Sequence, residues 1–215
     1  MALVLLGIPY NSEKAIEFAE GFSKWFNERA WSASAELAKE KGAFPLFKES
    51  TLKKEIPVRN SSVTTIAPTG TISLLAGCSS GIEPYFSIVW NRNALWQKDG
   101  ATVKLSEAPW PLKAMLPDKE AKDVLQSILD SPDKAKEILA KYKIDLKTFP
   151  TAHDISPEYH VRMQAAWQKY ISNSISKTIN LSRESTVEDM YNVYMMAWKL
   201  ECKSITIYRD GSKSQ

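Results

Sequence analysis

The sequence predicts an α/β protein, and three consecutive stretches carry that prediction. Ser174–Leu181 (SISKTINL) reads as a strand, Val187–Leu200 repeats its apolar residues at helical spacing, and Ser204–Tyr208 (SITIY) reads as a second strand. Strand, helix and strand in that order form a βαβ unit, which implies a parallel pair joined by a right-handed crossover. Ser185-x-x-Glu188 supplies a capping box for the helix between them.

The other elements follow in chain order. Asn11-Ser12 caps a helix whose apolar residues Ile16, Phe18, Ala19, Phe22, Trp25, Phe26, Ala30, Ala33 and Leu37 keep close to helical spacing, with Gly42 as its stop. Residues 43–62 are polar and turn-rich, with Pro45 and Pro57, and Val63–Ile66 is a short strand. Asp118–Asp145 holds two amphipathic helices broken at Ser131-Pro132, so rich in Lys and Glu that residues 94–150 are expected to form a helical surface insertion within a single domain spanning 1–215. Ser156 caps a further helix with Pro157 at its first position and Val161, Ala165, Ala166 and Ile171 turned inward.

Composition removes several function classes. Across 215 residues, 44% are hydrophobic and 25% charged, enough to bury a sizeable core. Lys and Arg are interleaved with Asp and Glu to a net charge of +3, and the seven Trp and eight Tyr follow helical core spacings without a basic stripe, so nucleic acid is not expected as a partner. The longest apolar run at the start, Ala2–Ile8, is about half of what a membrane helix needs, and a cytoplasmic location is expected, with no membrane partner. Cys78 and Cys202 lack the spacing of a zinc or Cys-x-x-Cys motif and read as reduced thiols. His153 and His160, with Asp154 and Glu158 between them, are split by Ser156-Pro157 into different elements, so capping and surface roles are expected rather than a metal site. Lys177 is assigned no role.

The stretch TTIAPTGTISLLAGCSSGIEP, residues 64–84, is the chemical candidate. If a strand ends at Ala67 and a helix begins near Thr71, the turn at Pro68-Thr69-Gly70 leaves several N–H groups at the helix start without internal partners. Such amides, with the positive end of the helix dipole, attract an anion. Thr69, Thr71 and Ser73 add hydroxyls, and Gly70 lets a phosphate approach the backbone. The same residues also serve simply to cap a helix, and the pattern is neither a Walker loop nor Gly-x-Gly-x-x-Gly. Glu83, ahead of Pro84, is read as a loop hydrogen-bonding carboxylate.

APTGTISLLAGCSSGIEPYFS, together with LLGIPYNSEKA, ASAELAKEKGAFPLF, TAHDISPEYHVRMQAAWQKYISNSISKTINL and CKSITIYRDGSK, resembles the catalytic subunit of ribonucleotide reductase, most closely its adenosylcobalamin-dependent type, class II. The matches run in the family's order from about residue 5 to residue 213. The resemblance implies an incomplete, C-terminal part of a ten-stranded α/β barrel, the barrel of the reductases and glycyl-radical enzymes. It implies that Pro68, Thr69, Gly70, Thr71 and Ile72, and more weakly Ser73, hold the phosphates of a ribonucleotide on its way to a deoxyribonucleotide. Where the type that imports its radical from a di-metal subunit has two adjacent tyrosines, this sequence has Thr206-Ile207, which favours adenosylcobalamin as cofactor.

The family's radical cysteine sits in an Asn-x-Cys-x-Glu loop that does not occur in this sequence, and the redox-active tail is missing before Ser214-Gln215. The resemblance therefore implies no catalytic residue here. The N-terminal half of the reductase is expected as a separate chain or a missing segment, joined through a large obligate contact at an unfinished barrel edge, with an external thiol as reductant. The other reading is a non-catalytic nucleotide- or anion-binding module derived from the same barrel.

Overall fold

The computed structural model describes residues 1–95 and 102–212. The expected insertion at 94–150 thus falls partly outside the described residues, and the chain end at Ser214-Gln215 wholly so. The chain divides into two compact units, each built from two separate segments: Met1–Ala15 with Thr69–Ser156, and Ile16–Pro68 with Pro157–Gln215.

The first unit opens with a single helical turn, α1 (Ala2–Leu5), and after the long helix α2 (Glu13–Lys41) carries the short helix α3 (Gly70–Leu75). A hairpin follows, β1 (Trp90–Leu95) antiparallel to β2 (Thr102–Glu107), with Trp90 opposite Glu107 and Leu95 opposite Thr102. Three helices complete it: α4 (Trp110–Met115), α5 (Ala121–Asp130) and α6 (Ala135–Ala140). The break between α5 and α6 falls at Ser131-Pro132 as the sequence requires, because Pro132 lacks the N–H that would continue the ladder.

Two expectations for this segment need correction. It is not helical throughout, since the hairpin occupies part of it. Nor is it a mere surface layer: Leu112, Val124, Leu125, Ile128, Leu139 and Phe149 are buried in one cluster. The Lys- and Glu-rich faces are solvated, but the opposite faces of α4, α5 and α6 pack on one another and make a core.

The second unit holds the long helix α2 (Glu13–Lys41), whose first three residues belong to the other unit, and α7 (Pro157–Gln168), β3 (Thr178–Leu181), α8 (Val187–Lys199) and β4 (Thr206–Arg209). The Ser12 hydroxyl accepts from Ala15 N–H at 3.2 Å at the start of α2, and Gly42, at φ +75°, ends it. β3 and β4 pair in parallel, Thr178 beside Thr206 and Leu181 beside Arg209, so the βαβ unit is as the sequence predicts. Val161, Ile179, Leu181, Val193 and Ala197 form its core.

Here too there are corrections. Val63–Ile66 is not a full strand; Ile66 makes one parallel bridge to Ile175, and Ile66 O accepts from Ser176 N–H at 2.8 Å. The capping box lies one residue later than Ser185-x-x-Glu188. Thr186 Oγ1 accepts from Asp189 N–H at 3.2 Å, and Asp189 Oδ2 accepts from Thr186 N–H at 2.7 Å. Those backbone and hydroxyl bonds hold the Asp189 carboxyl below its ordinary value of 3.8. Their contribution is complete above that ordinary value and is lost as the pH falls through the lowered one.

Candidate functional site

The candidate site is built on α3. Thr69, just ahead of it, has φ +51°, a left-handed conformation that a β-branched residue adopts only when its surroundings hold it there. One such hold is visible: Thr69 Oγ1 accepts from Gly81 N–H at 3.1 Å. The hydroxyl is thereby turned to the Ser80-Gly81 turn and does not cap the helix. The N–H groups of Gly70, Thr71 and Ile72 donate to no acceptor among the described residues. Gly70 is at ordinary φ, and a Cβ there would meet nothing within 4 Å. Neither backbone conformation nor packing within the chain demands glycine at this position.

The other end of α3 is closed. Gly77, at φ +64°, donates to Leu74 O at 3.2 Å and Cys78 N–H donates to Ser73 O at 3.0 Å, the paired bonds of a Schellman motif. The Ser73 hydroxyl, expected as a further phosphate donor, instead donates to Gly70 O at 2.9 Å, and its N–H donates to Thr69 O at 3.0 Å. Ser73 is buried and both its donors are spent within the helix. Thr71 and Ile72 are exposed, as is Pro68, which has no N–H to give.

Beside α3 lies a cleft of about 450 Å³, lined among others by Gly70, Ser73, Cys78, Glu83, Tyr85 and Trp90. The Tyr85 hydroxyl is buried beside Ser79, without a hydrogen bond of ordinary geometry. Burial first, and the neighbouring Cys78 second, push it up to about 12, so it stays protonated at neutral pH. Tyr85 is fixed by its backbone, which bridges to Thr151 and accepts from Ala152 N–H at 2.8 Å. Next to Glu83, Ile82 O accepts from the buried Tyr10 hydroxyl at 2.9 Å; burial and then the Glu83 charge raise that phenol.

The remaining candidates do different work. Cys78 and Cys202 are free thiols, both half-buried, and burial pushes Cys202 up to about 11. His153 is exposed with its ring edge-on to Phe86 at 5.0 Å, and Asp154 Oδ2 accepts from Thr151 N–H at 2.8 Å. His160 is not on the surface but fully buried, its Nδ1 at 2.9 Å from Lys177 Nζ, which also donates to Thr178 O at 2.6 Å. Sequence reasoning missed this pair, because a lysine at the start of a strand ordinarily marks an edge. Among the described residues no cluster of three or more His, Cys, Asp or Glu could hold a metal. No described helix is long and apolar enough to cross a membrane.

The family model described as "Ribonucleotide reductase, barrel domain" matches residues 1–58 and 52–208. The chain belongs to the ribonucleotide reductase barrel family. Within that family it is 40% identical over 216 residues to the vitamin B12-dependent ribonucleoside-diphosphate reductase of Thermoplasma acidophilum, covering 99% of this chain and 27% of that protein. It is 38% identical to the protein of the same description from Mycobacterium tuberculosis strain CDC 1551, covering 98% of this chain and 30% of that one. Among solved structures it resembles the class Id ribonucleotide reductase alpha subunit of Actinobacillus ureae, with a TM-score of 0.72, 25% identity, and coverage of 97% of this chain and 37% of that chain. The chain spans less than a third of the length of these two B12-dependent relatives. The described strands form two separate two-stranded sheets.

Proposed function

We propose that this chain is the substrate-phosphate part of a vitamin B12-dependent ribonucleotide reductase, an oxidoreductase that converts ribonucleotides to deoxyribonucleotides. The observation that supports it most is the open N-terminus of α3: three adjacent amides without acceptors, beside a glycine that the chain's own packing does not require. In this reading the N–H groups of Gly70, Thr71 and Ile72 donate to phosphate oxygens, and the exposed Thr71 hydroxyl adds a donor. Pro68 and Thr69 shape the entrance, Thr69 through its bond to Gly81. Ser73 positions Gly70 O and does not touch the ligand.

The radical cysteine and the reducing pair belong to polypeptide outside this sequence, which with this chain would complete the ten-stranded barrel. An external thiol would restore the reduced state. Adenosylcobalamin supplies the radical in the whole enzyme. The amides and hydroxyls of the α3 cleft suit an oxyanion and not a corrin, so none of its residues is assigned to that cofactor.

Calorimetric titration with a ribonucleoside diphosphate tests the site. Binding by the chain that weakens at least tenfold in Gly70→Val, with unchanged thermal unfolding, supports it; equal affinity in both forms refutes it. Mixing the chain with one carrying an Asn-x-Cys-x-Glu loop should restore cobalamin-dependent reduction. Absence of both complex and activity would sink the split-enzyme reading while leaving the phosphate site to stand on the titration.

A further inference from the structure

Among the described residues, three other than glycine hold a left-handed backbone: Thr69, Lys143 and Glu201. Lys143 and Glu201 follow helix ends, where such a residue closes the last turn. Thr69 instead precedes a helix, and it alone of the three is β-branched, the side-chain type that resists this conformation most. Glycine would adopt φ +51° without strain. The turn by itself therefore does not account for a threonine, and the hydroxyl has to.

That hydroxyl reaches into a second turn. Glu83 N–H donates to Ser80 O at 2.9 Å and closes a four-residue turn at 80–83, with Gly81 in its second place at φ +46°. The N–H at that place takes no part in the turn's own bond, and here it donates to Thr69 Oγ1 at 3.1 Å. The far side of the same turn is held by Tyr10, whose buried hydroxyl donates to Ile82 O at 2.9 Å. Ser80 and Glu83 of the turn line the cleft that Gly70 and Ser73 of α3 also line. Thr69 thus ties the entrance of α3 to another part of the wall of its own cleft.

We propose that Thr69 is a positioning residue for the α3 cleft, whose hydroxyl latches the turn at 80–83 to the start of α3 and does not itself bind the ligand; the strained backbone is what that latch requires. The inference rests on the phosphate-site reading above and adds to it a residue that fixes the wall of the site. Without the latch the turn keeps its bond to Tyr10 but loses its tie to α3. The ligand must then order that wall as it binds, which weakens affinity.

Amide hydrogen exchange of the ligand-free chain, with calorimetric titration by a ribonucleoside diphosphate, tests this in three variants. Thr69→Gly suits the backbone but removes the hydroxyl, whereas Thr69→Ser keeps the hydroxyl and drops the branch. Gly81 N–H should exchange about three- to tenfold faster in Thr69→Gly, the factor for one exposed hydrogen bond, and at the native rate in Thr69→Ser. Nucleotide affinity should follow the same order, about three- to tenfold weaker with glycine and within about twofold of native with serine. Tyr10→Phe, which acts on the far side of the turn and does not line the cleft, should weaken binding in the same direction. Native affinity in Thr69→Gly would overturn the proposal while leaving the phosphate site to stand on Gly70→Val. Unchanged Gly81 exchange in Thr69→Gly would overturn the latch even where affinity falls, since the hydroxyl would then be touching the ligand itself. A native chain that binds no nucleotide would overturn the phosphate reading and this inference with it. Glycine fits φ +51° better than serine does, so loss with glycine and rescue with serine cannot come from unfolding.

Discussion

α3 and α8 end alike and begin differently. Each closes at its C-terminus with the two bonds of a Schellman motif: Gly77 and Cys78 donate to Leu74 O and Ser73 O after α3, Glu201 and Cys202 to Trp198 O and Ala197 O after α8. At the N-terminus of α8, Thr186 and Asp189 satisfy each other's N–H groups. At the N-terminus of α3, Thr69 faces away in a left-handed conformation, and three amides are left to whatever comes from outside. The helix that builds the framework consumes its own polar groups, and the helix proposed to bind offers them. The two starts therefore differ in what they leave unbonded, while the shared ending shows that the chain can close a short helix as fully as a long one.

Five substitutions break or sharpen this contrast. The largest effect belongs to Gly70→Val, whose side chain would occupy open space ahead of the α3 amides. Nucleotide affinity should fall at least tenfold, about 1.4 kcal/mol, with little change in chemical denaturation. Next, Thr186→Ala should cost α8 about 1 kcal/mol in urea unfolding, whereas Ser185→Ala should cost almost nothing; the reverse order would return the cap to Ser185. Of similar size and opposite sign, Glu201→Gly should stabilise by about 0.5–1 kcal/mol, because Glu201 holds φ +59° where Gly77 in the equivalent place carries no Cβ. A loss of stability there would mean that the Glu201 side chain contributes more than its backbone strain costs. The smallest effect is Tyr85→Phe. It removes a buried hydroxyl whose contact with Ser79 falls short of hydrogen-bond geometry, so the melting point should stay within a degree or two or rise; a clear drop would show that the Ser79 contact is a working bond.

The contrast also explains what could be read from the sequence. The helix spans were legible because 3.6-residue periodicity and stop signals such as Gly42 and Pro132 act locally. The parallel pairing of β3 with β4 was legible because a strand–helix–strand order leaves little topological choice. The hairpin was missed although TVKLSE alternates and Asp99-Gly100, outside the described residues, is a turn signal; the charge of the neighbouring helices dominated the reading. The cap slipped by one because Ser185 and Thr186 are each followed three residues on by an acid, and backbone geometry decides between them. At α3, the turn and its open amides follow from residue types, but the inward hydroxyl of Ser73 does not, since serine donates equally well to a ligand or to a carbonyl three residues back.

The buried amine of Lys177 bears on how β3 finds its place. A strand that slips by one residue turns every side chain to the opposite face, and in an apolar pair such errors can go unnoticed. Here a slip would break the contacts of Lys177 Nζ with His160 Nδ1 and Thr178 O, because Lys177 shares the buried face with Ile179 and Leu181 and would turn off it with them. Lys177 thus acts as a key cut for a single register, penalising misalignment more than it rewards the native alignment.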